Sequence, residues 1–130
     1  MITQGIFNLL SQDAQISALI GQRIIPVLLP EACDLPAVTY QIVGGSSSPT
    51  FQTSGMQRLR MQFDCFGKNY SDATLTRDAI RKLLNGYQGL LSDGTFLQNA
   101  DLIQSVDFFE NEALIYRCMI EFYLYFNFNS

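Results

Sequence analysis

The sequence contains no histidine. Histidine is the commonest general base of enzymes, and the Ser-His and Cys-His pairs of hydrolases are built on it. Serines 46–48 lack the Gly-x-Ser-x-Gly frame that holds a nucleophile rigidly, and no Gly-Lys follows Gly44 and Gly45 to make a phosphate-binding loop. The sequence therefore favours a protein that is not an enzyme and that needs no cofactor.

Cysteine and basic residues are also scarce. Cys33, Cys65 and Cys118 form no Cys-x-x-Cys pair, and their odd number indicates neither a zinc site nor a disulfide framework. We expect Cys65 and Cys118 to pack in the core as small apolar residues. The chain carries 8 Lys+Arg against 12 Asp+Glu, a net charge of -4. Since proteins that wrap nucleic acid need clustered Lys and Arg, this balance argues against specific DNA binding.

Long apolar runs are missing as well. Nothing approaches the roughly 20 apolar residues of a membrane-spanning helix, and the N-terminal segment lacks the basic region of a signal peptide. We therefore expect a soluble, intracellular protein with no membrane partner. A length of 130 residues, 48% of them hydrophobic, fits one domain over 1–130 with one core.

The sequence does contain short segments with helical periodicity. Apolar spacing predicts a helix near the N-terminus and a second short helix that ends at Gly21, with Ser11 or Asp13 as its cap. A longer helix is predicted over about 71–85, with Ser71 as its N-cap. Its predicted inward residues are Leu75, Ala79, Ile80, Leu83 and Leu84.

Strand alternation is clear in four segments, "PAVTYQIV", "RLRMQFDCF", "DLIQSVDFF" and "ALIYRCMIEFYLYF", the last two joined as a hairpin at "ENE". "RIIPVLLP" is predicted as an edge strand or a loop, because Pro26 cannot donate to a ladder. Together the segments predict an α+β fold: a mainly antiparallel sheet of about four strands packed with the N-terminal helical segment and the longer helix.

An uncharged loop is predicted over 44–55, between two strand-like segments. A Gly/Ser loop buries too little apolar surface to order itself. Two explanations stay open: the loop orders when a partner docks, with Phe51 as its apolar anchor, or it is a plain flexible connection.

Tyr123 and Tyr125 share a predicted strand face with Arg117 and Glu121, a composition favoured at protein interfaces. A second core layer under a helix is the equal alternative. The candidate assembly residues on this face and in the loop are Gly44, Gly45, Ser46, Ser47, Ser48, Phe51, Gln52, Arg58, Arg60, Arg117, Glu121, Tyr123 and Tyr125.

Three acidic residues, Asp107, Glu110 and Glu112, cluster near the predicted hairpin. Carboxylates can hold a hard cation through oxygen ligands, but the ordered spacing of a calcium loop is missing. A solvated hairpin tip is the simpler interpretation, so we expect no metal.

Taken together, these segments resemble a known family. The resemblance lies in the Gly-x-Arg-Ile-x-Pro segment at 21–26, the "LPAVTY" segment at 35–40 and the "MQFDCFGKNYSDA" segment at 61–73. These features are similar to the tail completion proteins of long-tailed phages and prophages, which are grouped with head-tail joining and tail terminator proteins. They are structural signatures, and none is catalytic.

The resemblance implies a structural protein that caps the tail tube as a ring, usually six-fold, and joins the tail to the head. The implied partners are other copies of the chain, the tail tube protein and the head-completion or connector proteins, with DNA passing through without specific binding. The implied location is the head-tail junction of the virion, after assembly in the host cytoplasm. Under this hypothesis Asp107, Glu110 and Glu112 are candidates for an acidic bore that lets DNA slide. Another neck or tail ring component, such as a head-completion adaptor, or a small ligand-binding or inhibitory domain, remains the alternative.

Overall fold

The structure is a computed structural model that describes residues 2–46, 56–111 and 113–127. The candidate residues Ser47, Ser48, Phe51, Gln52 and Glu112 lie outside the described residues. In chain order the elements are α1 (Ile2–Gln12), α2 (Ala14–Ile20), β1 (Ile24–Pro26), β2 (Ala37–Ser46), β3 (Met56–Gly67), α3 (Tyr70–Leu84), β4 (Gly89–Leu90), β5 (Phe96–Glu110) and β6 (Ile115–Asn127). The predicted α+β class is confirmed.

The strands form one six-stranded sheet in the order β1-β2-β3-β6-β5-β4. Four of them, β2, β3, β5 and β6, correspond to the four predicted strands and pair antiparallel. The prediction missed two short strands at the edges. β1 is the segment with Pro26, placed at an edge as expected but parallel to β2, and β4 contributes two residues beside the start of β5.

The β5–β6 hairpin is confirmed, and it is longer than the core beneath it. The two strands span 15 and 13 residues, and residues 103–109 of β5 are exposed at every position. Its turn is closed by the N–H of Leu114, which donates to the carbonyl of Glu110 at 2.8 Å. The pairing of β5 with β6 shifts register between Leu102 and Gln104, which bends the strand where it leaves the core.

The helices pack on one face of the sheet, which we call the inner face. The core unites apolar residues of all three described helices with alternate residues of the central strands: Ile6, Leu10, Ile16, Ile20, Ile80, Leu84, Met61, Phe63, Cys65, Cys118, Ile120, Phe122, Leu124 and Phe126. Both predicted core cysteines are confirmed there as fully buried thiols. Burial raises the pKa of Cys65 well above its usual value and that of Cys118 to about 11, so both stay protonated.

The short helix α2 begins and ends as predicted. Asp13 caps it by accepting the N–H of Ile16 at 3.0 Å, and Gly21 ends it with φ 59, in the left-handed region that glycine tolerates. None of the helices in the described part of the chain is long and apolar enough to cross a membrane.

The longer helix, α3, begins earlier than predicted. The N-cap is Asn69, whose Oδ1 accepts the N–H of Asp72 at 2.8 Å, so Ser71 lies inside the first turn and the prediction that it caps the helix was wrong. The helix ends close to its predicted boundary: Asn85 is the C-cap, and Gly86 follows it with φ 79, in the region that glycine tolerates.

The inward face of α3 also differs at one position. Leu75 is 51% exposed, whereas Ala73 and Thr76 are buried in its place. The stripe that faces the sheet runs through 73, 76, 80 and 84, at helical spacings of three and four, and Leu75 lies to one side of it. Leucine is apolar enough to suggest a core position, but the helix is placed by the smaller residues that allow close packing.

The position of the N-cap can be checked by mutation. Asn69→Ala removes the side-chain acceptor for the N–H of Asp72, and we expect it to lower the free energy of unfolding by about 1 kcal/mol in urea denaturation. Ser71→Ala is the control and should change it by less than about 0.5 kcal/mol. A larger loss in Ser71→Ala than in Asn69→Ala would contradict the assignment.

Candidate functional site

The face of the sheet opposite the helices, which we call the outer face, collects six of the nine predicted assembly residues that the structure describes. Strand alternation and register place six of them there, on neighbouring positions of β3 and β6: Arg58, Arg60, Arg117, Glu121, Tyr123 and Tyr125. Arg60 stands opposite Tyr123, and Arg58 stands opposite Tyr125. The structure therefore brings together residues that are up to 67 positions apart, Arg58 to Tyr125, in the sequence.

A buried carboxylate anchors the centre of this face. Glu121 is only 1% exposed, and both of its oxygens accept hydrogen bonds from Nη2 of Arg60, at 2.9 and 3.0 Å. Gln104 of β5 donates a further bond to Oε1 at 3.2 Å. The hydrogen bond to Glu121 and the attraction of its charge raise the pKa of Arg60, which stays cationic. The Nε of Arg60 is buried and has no hydrogen-bond partner among the described residues.

A second ionic network lies nearer the hairpin turn. Arg117 donates from Nη1 to Asp64 and from Nε to Glu110, both at 3.0 Å. Its guanidinium also lies over the ring of Phe108, with Cζ 4.2 Å from the ring centroid. Gln62 completes the network with a bond to the other oxygen of Asp64 at 2.9 Å. The network joins β3, β6 and β5, and it fixes the orientation of the Arg117 side chain.

Aromatic side chains occupy the other end of the outer face. The Cζ of Arg58 lies 4.7 Å from the centroid of the Tyr123 ring, a cation–π distance, and the rings of Tyr123 and Tyr125 are 6.3 Å apart. The helix residues of the core all join the inner face, so among the described elements no helix covers these tyrosines as a second core layer. Their role in assembly stays a prediction.

Gly44, Gly45 and Ser46 lie beside this aromatic end. They were predicted in the loop, but they form the last part of β2, opposite Arg60, Leu59 and Arg58 respectively. The remainder of the predicted loop lies outside the described residues.

The predicted acidic residues are not held together. Asp107 faces α3, where it accepts hydrogen bonds from the Tyr70 hydroxyl and from Nη1 of Arg77, the latter at 2.8 Å. Glu110 lies on the other face of β5 with Arg117. The part of the chain that the structure describes holds no group of three His, Cys, Asp or Glu suited to a metal ion. The bore assignment of Asp107, Glu110 and Glu112 stays a prediction.

Sequence reasoning missed four contributors to the outer face, namely Gln62, Asp64, Gln104 and Phe108. Asp64 shares the alternation of Arg58 and Arg60, so strand periodicity was a usable signal for it. Gln104 reaches Glu121 only because the register shift after Leu102 turns it onto the outer face, and single-strand periodicity cannot reveal a bulge.

A cleft with a volume of about 490 Å³ lies between α1 and the turn after β4. It is widely open, the described residues that line it are uncharged, and Asn8 and Ser92 bond to each other across it at 2.7 Å. Small-molecule sites combine an enclosed apolar cavity with convergent polar groups, so this cleft gives little support to a ligand-binding domain.

The contact between Asp107 and α3 generates a pH-dependent prediction. The Tyr70 hydrogen bond, supported by Arg77, holds the pKa of Asp107 below its unfolded value of about 4. The ionised carboxylate therefore stabilises the fold above pH 4, and this contribution is lost as the pH falls through the lowered pKa. We expect Asp107→Asn to lower the melting temperature at pH 7, with the difference from wild type shrinking below about pH 4.

Asp101→Asn is the matched control, since Asp101 is an exposed carboxylate on the same strand. It should leave the pH profile of the melting temperature close to that of wild type. An Asp107→Asn profile that runs parallel to wild type at every pH would contradict the role of this carboxylate.

Comparison with solved structures shows that the fold occurs in other proteins. A chain from the structure described as "Virion of native gene transfer agent (GTA) particle" superposes with a TM-score of 0.73 at 17% sequence identity, covering 94% of this chain and 91% of that one. At this identity the match shows a shared fold. Among curated proteins, none matches the chain significantly.

A family comparison gives a more specific result. The family model described as Tail completion protein gp17 matches residues 4–126. The match runs from α1 to the penultimate residue of strand β6, and it therefore includes the residues of both faces of the sheet. Because it covers nearly the whole sequence, the resemblance noted at 21–26, 35–40 and 61–73 is confirmed, and the chain belongs to the tail completion protein family.

Proposed function

We propose that this protein caps the tail tube of a phage or prophage particle and joins the tail to the head, as a ring around the DNA path. Membership of a tail completion family gives it a structural role in a phage-type particle. Capping, the ring and the position at the head-tail junction are our proposal, together with a role that involves no catalysis. The proposed partners are further copies of the chain, the tail tube protein and the head connector.

The outer face is the observation that carries this proposal. It presents tyrosine and arginine, two residue types enriched where binding energy concentrates at protein interfaces. The guanidinium groups of Arg60 and Arg117 are already fixed by Glu121, Asp64 and Glu110. A partner that docks on this face therefore orders few further side chains, which lowers the entropic cost of association.

The distribution of charge supports a DNA path without DNA binding. Three of the arginines, Arg60, Arg77 and Arg117, are engaged with carboxylates of the same chain. They are therefore poorly available to neutralise phosphates, and the net charge of -4 adds a weak repulsion. We propose that the end of the β5–β6 hairpin, the part of the chain that carries Asp107, Glu110 and Glu112, points into the bore of the assembled ring.

A head-completion adaptor or another ring of the neck would use the same kind of face, since it too docks rings of protein around DNA. The two roles differ in what remains when the protein is missing. If the chain caps the tail, we expect its loss to leave complete heads beside tails that are unjoined or irregular in length. If it is a head adaptor, we expect its loss to leave tails of normal length beside heads that fail to retain DNA.

The outer face can be tested by complementation of a phage that lacks this chain. Tyr123→Ala/Tyr125→Ala removes the aromatic pair, and we expect a folded protein that restores plaque formation at least about tenfold less well than wild type, since one hot-spot side chain typically contributes 1–2 kcal/mol or more. Leu75→Ala is the control, because Leu75 is an exposed apolar residue on α3, away from the outer face. Equal complementation by both variants, with folding verified by circular dichroism, would contradict the proposal.

A further inference from the structure

Each of the two outermost long strands is covered over only part of its length. β1 pairs with residues 38–40 of β2, and β4 pairs with the first two residues of β5. Residues 42–46 of β2 and 104–110 of β5 have no strand on their other side among the described residues. We call these stretches the open β2 edge and the open β5 edge.

The backbone groups at the open β5 edge point outward at known positions. Leu102, opposite Phe122 of β6, donates its N–H away from β6 to Oδ1 of Asn85 at 3.4 Å. In an antiparallel ladder, the N–H and C=O groups of a strand point away from its neighbour at every second residue pair. In β5 these are the residues that stand opposite even-numbered residues of β6. The next outward residues are Ser105, Asp107 and Phe109.

The same reasoning applies to β2. On the side of β2 that faces away from β3, the N–H of Val38 donates to the carbonyl of Arg23, and the carbonyl of Tyr40 accepts the N–H of Val27, both at 2.9 Å. Following the register through its shift, the next outward residues on this strand are Ile42 and Gly45. Both edges therefore offer backbone donors and acceptors for a further strand.

The two open edges are complementary in direction and position. Three antiparallel steps separate β2 from β5, so the two strands run in opposite directions. Two copies in the same orientation therefore bring the open β5 edge of one beside the open β2 edge of the other as an antiparallel pair. The open β2 edge lies level with residues 122–125 of β6, and the open β5 edge lies level with residues 115–121. The copies therefore meet with a stagger along the strands, as tilted strands in a closed barrel do.

The side chains along the open edges also favour a second copy as the occupant. Val106, Phe108 and Phe109 are 37%, 40% and 44% exposed at the β5 edge, while Ile42 and Val43 are 37% and 43% exposed at the β2 edge. Edges of monomeric sheets are usually protected by lysine or proline, and neither residue occurs in 42–46 or 104–110. Pairing would bury apolar side chains on both partners and leave neither edge bare.

We propose that the open β5 edge of one copy pairs with the open β2 edge of the next copy, so that the sheet continues from subunit to subunit. The contact joins two different surfaces, and such head-to-tail contacts build a closed ring when the rotation between copies closes. This inference rests on the proposed ring and supplies its subunit contact. The bulges in both strands add the bend that a sheet needs to curve around a bore.

A proline substitution at an outward position tests the contact. Ser105→Pro removes one outward N–H and leaves the donors that point towards β6, whereas Ser105→Ala removes only the hydroxyl. In sedimentation velocity over a concentration series, we expect wild type and Ser105→Ala to form higher oligomers and Ser105→Pro to need at least about a tenfold higher concentration. Equal assembly by all three proteins would overturn the proposal.

Hydrogen exchange on the wild-type protein gives a second test that needs no substitution. On raising the concentration, amides in both 42–46 and 104–110 should become protected together. Protection of only one segment, as in a symmetric β5-to-β5 dimer, or an oligomer with neither segment protected, would overturn the proposal, as would a wild-type protein that stays monomeric throughout. None of these outcomes decides whether the protein joins heads to tails, which complementation measures separately.

Discussion

The register between β3 and β6 is the constraint on which the rest of the structure depends. In this pair Phe63 lies beside Ile120 on the inner face, while Arg60 lies beside Tyr123 on the outer face. Because side chains alternate along a strand, a slip of one residue would bury the arginines and expose the aromatic core. The helices pack on the apolar side of this pair, and the ionic networks form on the other, so one register serves both the fold and the candidate interface.

The central strands and most helix boundaries were predictable from the sequence because their signals are local. Alternation in "RLRMQFDCF" separates the two faces, Asp13 and Gly21 mark the ends of α2, and Pro26 marks an edge. The features that were missed depend on contacts between distant segments. The strand β4 is two residues long and exists only because β5 lies beside it, and Leu75 is exposed because α3 is positioned by the close packing of Ala73 and Thr76.

The candidate site shows the same division. Periodicity placed Arg117, Glu121, Tyr123 and Tyr125 on one face, and the structure adds that Glu121 is the buried acceptor for Arg60 from the neighbouring strand. A single buried carboxylate of this kind contributes little net stability once its desolvation is counted, but removing its partner is costly. Its position at the centre of the outer face explains why the flexible side chain of Arg60 is held in a defined orientation.

The two kinds of unsatisfied surface on this chain suggest different partners. The open edges of β2 and β5 offer backbone hydrogen bonds and match a second copy in direction. The outer face offers ordered arginine and tyrosine side chains, which suit a surface of different composition, such as the tail tube or the connector. A subunit that pairs with its neighbours through the open edges would leave the outer face free for these partners. One small domain could then both form the ring and join the tail to the head.

The most direct test of this account is immunogold electron microscopy of phage particles with antibody against this protein. The account predicts label at the head-tail junction of complete particles and at the head-proximal end of unjoined tails. Label elsewhere along the tail, or no label on any particle, would contradict it.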